Sequence, residues 1–209
     1  MPVIKVNPDS FAADDLLAAV QWLHEGKIVA YPTDTLYGLA VDPASDAAVR
    51  TLFQLKGRQP TAALPLIAAS RAHVEAWCGL NAAGRRLADA FWPGPLSLIC
   101  DAPATVVPAV HAGRRSVAIR VPAHPVARAL AAAWGSPVTA TSANRSGGSP
   151  AQFVADLEDL ADERVLIIDG GETAGGPPST IVDARVLPPH LVRAGAISWE
   201  RVLNSLQER

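Results

Sequence analysis

The sequence predicts an α/β (α+β) fold, a single domain over residues 1–209 with a twisted mixed sheet and flanking helices. Three observations lead there. Segments with helical apolar spacing alternate with short apolar runs of strand length. Eighteen prolines are spread along the chain, bounding the short runs instead of marking a flexible linker. With 49% hydrophobic and 18% charged residues in 209 positions, the chain can bury one substantial core and is not compositionally disordered. No internal repeat interrupts the pattern.

Taken in order, Asp9-Ser10 can cap a helix that runs to Glu25 and is closed by Gly26, with Leu16, Leu17, Val20 and Leu23 as its apolar face. Residues 27–31 read as a strand that Pro32 stops. A second helix starts near Ser45 and carries Val49, Leu52, Phe53 and Leu55 to Lys56. Further strands are expected at 64–68, 96–100, 116–121, 138–141, 165–169 and 180–183. Further helices are expected at 71–77, 82–91, 125–134, 152–161 and 198–207.

Composition narrows the chemistry. A net charge of −2 offers no global attraction for nucleic acid, so any phosphate site must be local. Cys78 and Cys100 stand among apolar residues with no CxxC spacing, and read as reduced core thiols. The five histidines lack zinc spacing and none pairs with a Ser or Cys nucleophile motif, so no metal site and no hydrolase triad is expected. No charged leader precedes an apolar run and no stretch approaches 18 apolar residues, so a cytoplasmic protein without a membrane span is expected.

Several polar constellations stand out against this background. Lys56-Gly57-Arg58 puts two fixed cations at the end of a helix, where they are either a phosphate site or a solvated helix end. Ser142-Ala143-Asn144-Arg145-Ser146-Gly147-Gly148 follows a very apolar strand and reads as an anion nest or as an ordinary capped turn. In 31–38, Thr33, Asp34, Thr35 and Tyr37 follow Pro32 at a strand's C-terminal edge, where ligands bind or where an Asx- or ST-turn forms. Arg120 lies within an apolar strand, so it either binds a carboxylate or sits in a structural ion pair. The Gly-rich stretch 170–180 lacks the Walker spacing and reads as a mobile loop, a flap over a site or plain surface. The aromatic turn Phe91-Trp92-Pro93-Gly94-Pro95 reads as structural.

PTDTLYGLA, KGR, FWPGPLSL, SVAIRVPAHP, TSANRSG, STIVDA and LVRAGAI occur here in the sequence order of the YrdC family, and the chain resembles that family from about residue 10 to 200. The resemblance implies a twisted α/β sheet with a concave basic cavity. It implies the short form of the family (TsaC-like) and threonylcarbamoyl-AMP synthase activity, with L-threonine, bicarbonate and ATP as substrates and pyrophosphate released. The product would serve N6-threonylcarbamoyladenosine formation at position 37 of tRNA. By motif position, Lys56, Arg58, Ser142 and Asn144 would hold the triphosphate and act as the catalytic set. Thr141, Ser149 and Arg193 would complete the ATP site, and Thr35, Arg120 and Ser179 would hold threonine, with Arg120 on its carboxylate. Mg²⁺ would accompany ATP. A tRNA contact and a downstream tRNA threonylcarbamoyl-transfer complex are the partners the resemblance raises.

Four positions depart from the family pattern. Gln59 stands where a proline usually follows the arginine, and Ala62 where a second lysine is common. Ile67 replaces a histidine of many long-form relatives, and Pro178 an acidic residue before Ser-Thr. With Ala62 uncharged, Arg145 is the expected substitute cation. Two other functions compete: a non-catalytic RNA-binding or ribosome-associated module using the same cavity, and carbamoyl transfer as in the YrdC-like domain of HypF. The acidic balance weighs against the first, and the absence of zinc-finger cysteines against the second.

Overall fold

A computed structural model describes residues 1–57 and 62–207. The chain opens with β1 (Val3–Lys5), a 3₁₀ turn at Ala13–Leu16 and α1 (Leu17–His24). The helix begins later than Asp9-Ser10 would set it, because the Asp15 carboxylate caps the turn by accepting from the Ala12 N–H at 2.9 Å. Leu17, expected on the apolar face, is 61% exposed, and Leu16, Ala19 and Leu23 are the buried residues. Next come β2 (Ile28–Tyr31), β3 (Gly38–Ala40) and α2 (Asp46–Lys56). Ser45 caps α2 through the Ala48 N–H, and Gly57 ends it in the left-handed region at φ 62°.

The middle of the chain supplies β4 (Leu66–Ile67), α3 (Arg71–Trp77), α4 (Ala82–Phe91), β5 (Leu96–Asp101), α5 (Pro108–His111), β6 (Ser116–Arg120) and α6 (Pro125–Trp134). The expected strand at 138–141 is two strands, β7 (Val138–Thr139) and β8 (Thr141–Ser142). After a 3₁₀ stretch at Val154–Leu160 come β9 (Val165–Asp169), β10 (Thr180–Asp183), β11 (His190–Arg193) and α7 (Trp199–Gln207).

Among the described residues the strands form two mixed sheets rather than one. Their orders are β1-β9-β2-β3-β8 and β11-β10-β5-β6-β4-β7. The chain crosses between them at Ala140, since β7 pairs with β4 of the second sheet and β8 with β3 of the first. The Thr139 hydroxyl fastens the crossing by accepting from Val41 N–H and donating to Leu39 O, both at 2.9 Å.

The first sheet is packed on both faces. Val29, Tyr31, Ala40, Leu166 and Ile168 meet the helices that carry Ala19, Leu23, Val126 and Leu130. Ile28, Ala30, Leu39, Val165 and Ile167 join a larger cluster with Val49 and Leu52 of α2. Burying Leu, Ile or Val side chains of this kind is worth about 1.5–3 kcal/mol each. Gly38 lets the Tyr31 ring lie close over β3, since a Cβ there would stand 3.2 Å from the ring and require it to shift by a few tenths of an ångström. Both cysteines are free thiols, Cys100 buried and Cys78 half-buried. No described helix is long and apolar enough to cross a membrane.

Candidate active site

Alternate residues of the second sheet turn onto one open face: Ser97 and Ile99 of β5, Ser116, Ala118 and Arg120 of β6, Ile181 of β10. Their sequence neighbours Leu96, Leu98, Val117, Ile119 and Val182 enter the core. A strand's period of two therefore makes both surfaces. Residues 33–38 and β8 face this surface from the first sheet, and between them lies a cavity of about 620 Å³. A smaller hollow of about 390 Å³, lined by Cys78, Asn81, Cys100 and Arg185 among others, contains none of the expected site residues.

At one side of the cavity Arg120, 6% exposed, donates through NH1 to Asp34 Oδ1 at 2.5 Å. Its NH2 reaches the hydroxyls of Thr33 and Thr35 at 3.3 and 3.4 Å, contacts long enough to yield to a better acceptor. The loop shape comes from Thr33, whose hydroxyl accepts from the Thr35 and Leu36 N–H groups, so the ST-turn is real but Asp34 is spent on the ion pair. The ion-pair reading of Arg120 is met by Asp34, and the same residue also lines the cavity.

Opposite Thr35, the Ser179 hydroxyl lies 2.9 Å from that of Ser97 and accepts from Arg193 NH2 at 3.0 Å. Arg193 also clamps the Ser179 carbonyl through Nε and NH2 at 3.1 and 2.6 Å. Burial, and then the nearby Arg120 charge, pull the Arg193 pKa down from its ordinary value. The guanidinium remains charged at any physiological pH. Tyr37, whose pKa burial pushes up to about 12, keeps its proton and donates to Gly171 O at 2.7 Å.

The Ser-Ala-Asn turn is organised differently from a free anion nest. Ala143, Asn144, Ser146 and Gly148 donate their N–H groups to Tyr37, Ser142, Lys56 and Arg145 carbonyls. Lys56, a residue only 3% exposed, donates through its ammonium to Ser142 O at 2.5 Å, Asn144 O at 2.8 Å and Asn144 Oδ1 at 3.1 Å. Lys56 is therefore neither a solvated helix end nor a side chain open to the cavity. It is a buried charge behind the turn, because three acceptors of the turn converge on it. Asn144 links the set further, accepting from Ser142 Oγ at 2.7 Å and donating to Gly148 O at 2.5 Å.

Of the expected site residues, Thr35, Arg120, Thr141, Ser142, Ser179 and Arg193 line the cavity together. Lys56 and Asn144 stand behind its wall, and Ser149 is exposed next to the lining residue Pro150. Arg58 and Gln59 lie outside the described residues. Ala62 and Pro178 line the cavity, whereas Ile67 is fully buried in the core beneath it. Arg145 does not take the place expected for it, since its guanidinium donates to Asp159 O and Leu55 O. Ser97 and Arg114 also line the cavity and were not singled out by sequence. The period of two along 97–99 is the signal that finds Ser97, whereas Arg114 sits in the turn before β6 and no sequence pattern marks it. Among the described residues no group of three His, Cys, Asp or Glu side chains is arranged to hold a metal.

Gly195 holds this wall together. A Cβ there would stand 2.2 Å from Pro178 O and 2.6 Å from the Ser179 carbonyl carbon, so the chain after Arg193 approaches the Ser179 strand more closely than any side chain allows. Gly195→Ala is expected to cost about 1–3 kcal/mol, a fall of roughly 2–10 °C in thermal midpoint. Thermal denaturation checks it, and an unchanged midpoint would mean that the segment relaxes freely.

A family model for Sua5/YciO/YrdC, described as "Telomere recombination", matches residues 21–195. The chain is 40% identical over 173 residues to the threonylcarbamoyl-AMP synthase of Chromohalobacter salexigens, covering 82% of this chain and 93% of that protein. It is 37% identical over 186 residues to the threonylcarbamoyl-AMP synthase of Pyrococcus abyssi, covering 88% of this chain but only 55% of that protein. The crystal structure of P. abyssi Sua5 complexed with L-threonine superimposes with a TM-score of 0.91 at 33% identity, over 98% of this chain and 61% of that one.

Proposed function

Because the chain belongs to the Sua5/YciO/YrdC family, we propose that it is a threonylcarbamoyl-AMP synthase. It joins L-threonine, bicarbonate and ATP into L-threonylcarbamoyladenylate and releases pyrophosphate, as the first step towards N6-threonylcarbamoyladenosine in tRNA. The reading treats residues 1–209 as one domain working in the cytoplasm. The observation that carries it is the convergence of Thr35, Arg120 and Ser179 with Thr141, Ser142 and Arg193 on one cavity.

In this reading the threonine carboxylate takes the Arg120 NH2 that now makes only long contacts to Thr33 and Thr35. Thr35 and Ser179 offer hydroxyls on either side. The threonine amine and CO₂ or bicarbonate give a carbamate, an anion that is already a nucleophile. Its oxygen forms a bond to the α-phosphorus of ATP as the bond from that phosphorus to the bridging oxygen breaks, and the electron pair leaves with pyrophosphate. No side chain needs to remove a proton in that step. The protein's contribution is alignment and neutralisation of charge. Thr141, Ser142 and Arg193 face the nucleotide, with Ser149 at the rim. Lys56 and Asn144 hold the Ser-Ala-Asn turn in shape and add positive potential behind it, and the motif assigns Arg58 to the phosphates. Mg²⁺ enters with ATP as part of the substrate.

The deciding experiment is pyrophosphate release from ATP with threonine and bicarbonate present, and with each omitted. Release that needs both supports the synthase. RNA binding without such turnover would favour the non-catalytic module.

A further inference from the structure

Resting on the synthase reading, we propose that Arg114 is a phosphate-binding residue of this enzyme, supplying the second cation that position 62 lacks. Ser116, Ala118 and Arg120 line the cavity by the strand's period of two, and Arg114, in the turn that enters the strand, lines it as well, so both arginines belong to the same wall. Ser116 and Arg120 are four residues apart, about 13 Å of strand, and Arg114 lies beyond Ser116. The two guanidiniums therefore serve opposite ends of the cavity, with small side chains between them.

Charge bookkeeping singles out Arg114. Arg120 is paired with Asp34, Arg193 clamps Ser179, Lys56 is enclosed by the Ser142–Asn144 turn, and Arg145 is bound to two backbone carbonyls. Among the described residues the exposed Arg114 side chain has no hydrogen-bond or ion-pair partner. A triphosphate brings several negative charges, and its leaving pyrophosphate gains charge as the reaction proceeds. Ala62, lining the same cavity, is too short and neutral to answer them.

The backbone that carries Arg114 is held with care. Ala112 and Arg115, both non-glycine, adopt left-handed conformations at φ 48° and 55°, a combination that persists only where neighbouring structure enforces it. The enforcement is visible: the Arg115 N–H donates to His111 Nδ1 at 3.3 Å, and the Arg115 carbonyl accepts from Ala102 N–H at 3.0 Å.

The test is calorimetric titration of ATP and of AMP into the wild type, Arg114→Gln and Arg114→Lys at two salt concentrations. Arg114→Gln is expected to raise the Kd for ATP about five- to tenfold at low salt and less at high salt. It should leave AMP within about twofold, with Arg114→Lys in between and thermal midpoints unchanged. Equal weakening of ATP and AMP, or no weakening of ATP, overturns the assignment. The ATP–AMP split seen in a protein that releases no threonine-dependent pyrophosphate would uphold the phosphate contact and remove the synthase reading. Release without the split would do the reverse.

Discussion

Arg120→Ala should lower stability by about 3–5 kcal/mol, roughly 10 °C in thermal midpoint, and raise the KM for threonine about 10–10²-fold while changing that for ATP far less. Two separate losses produce these effects. Removal of the guanidinium leaves the Asp34 carboxylate only 12% exposed and without its counter-charge, with Oδ2 already lacking a partner. Removal of NH2 deprives a threonine carboxylate of its charged donor. The double change Arg120→Ala with Asp34→Asn separates the two, since it discards the stranded charge and should recover much of the stability without recovering threonine affinity. If the double variant regains the wild-type KM for threonine, Arg120 acts only through the fold.

Lys56→Met is expected to cut kcat/KM by about 10²–10³-fold, the scale for removing one charge that stabilises the transition state. It should also lose about 1–3 kcal/mol for each carbonyl left without a donor. The methionine fills most of the volume, so packing is not the main loss. What fails is the convergence of Ser142 O, Asn144 O and Asn144 Oδ1 on one ammonium, and with it the shape of the turn. Pyrophosphate-release kinetics together with thermal melting with and without ATP read both effects. A variant that melts early yet keeps full specific activity would reduce Lys56 to a helix-end cation with a structural duty.

How much of this was legible beforehand depends on whether the cause was local. Helices Ala82–Phe91 and Pro125–Trp134 and strand Val165–Asp169 lie at their expected bounds, because caps, proline at a helix start and an unbroken apolar run are properties of neighbours in sequence. Gly38–Ala40 and His190–Arg193 were missed. The first is three residues with a glycine, and the second is exposed throughout, so neither writes an alternating pattern into the sequence. The expected strand at 138–141 could not announce its break, since Ala140 is where the chain changes sheets and both halves are strands.

The site divides along the same line. Thr35, Arg120, Thr141, Ser142, Ser179 and Arg193 could be nominated by motif order, and all of them line the cavity. The burial of Lys56 could not be anticipated. Its neighbours Leu55 and Gly57 describe an ordinary helix end, while the acceptors that enclose it lie 86 and 88 residues downstream. Ser97 passed as an ordinary strand residue until the sheet gave its alternation a direction, and Arg114 as an ordinary turn residue until the turn was seen to open onto the cavity.

The open face of the second sheet has a thermodynamic consequence. Ile99, Ala118 and Ile181 on it are only half-buried, while the residues alternating with them are sealed in the core. The adenylate intermediate, seated against that face, would act as a missing layer of the protein. Its arrival should therefore register as a negative change in heat capacity beyond what its polar contacts supply. It should also raise the melting temperature in proportion to the logarithm of its concentration. On the proposed reading the bound intermediate would complete the packing of this face once per turnover, and its release would open the face again.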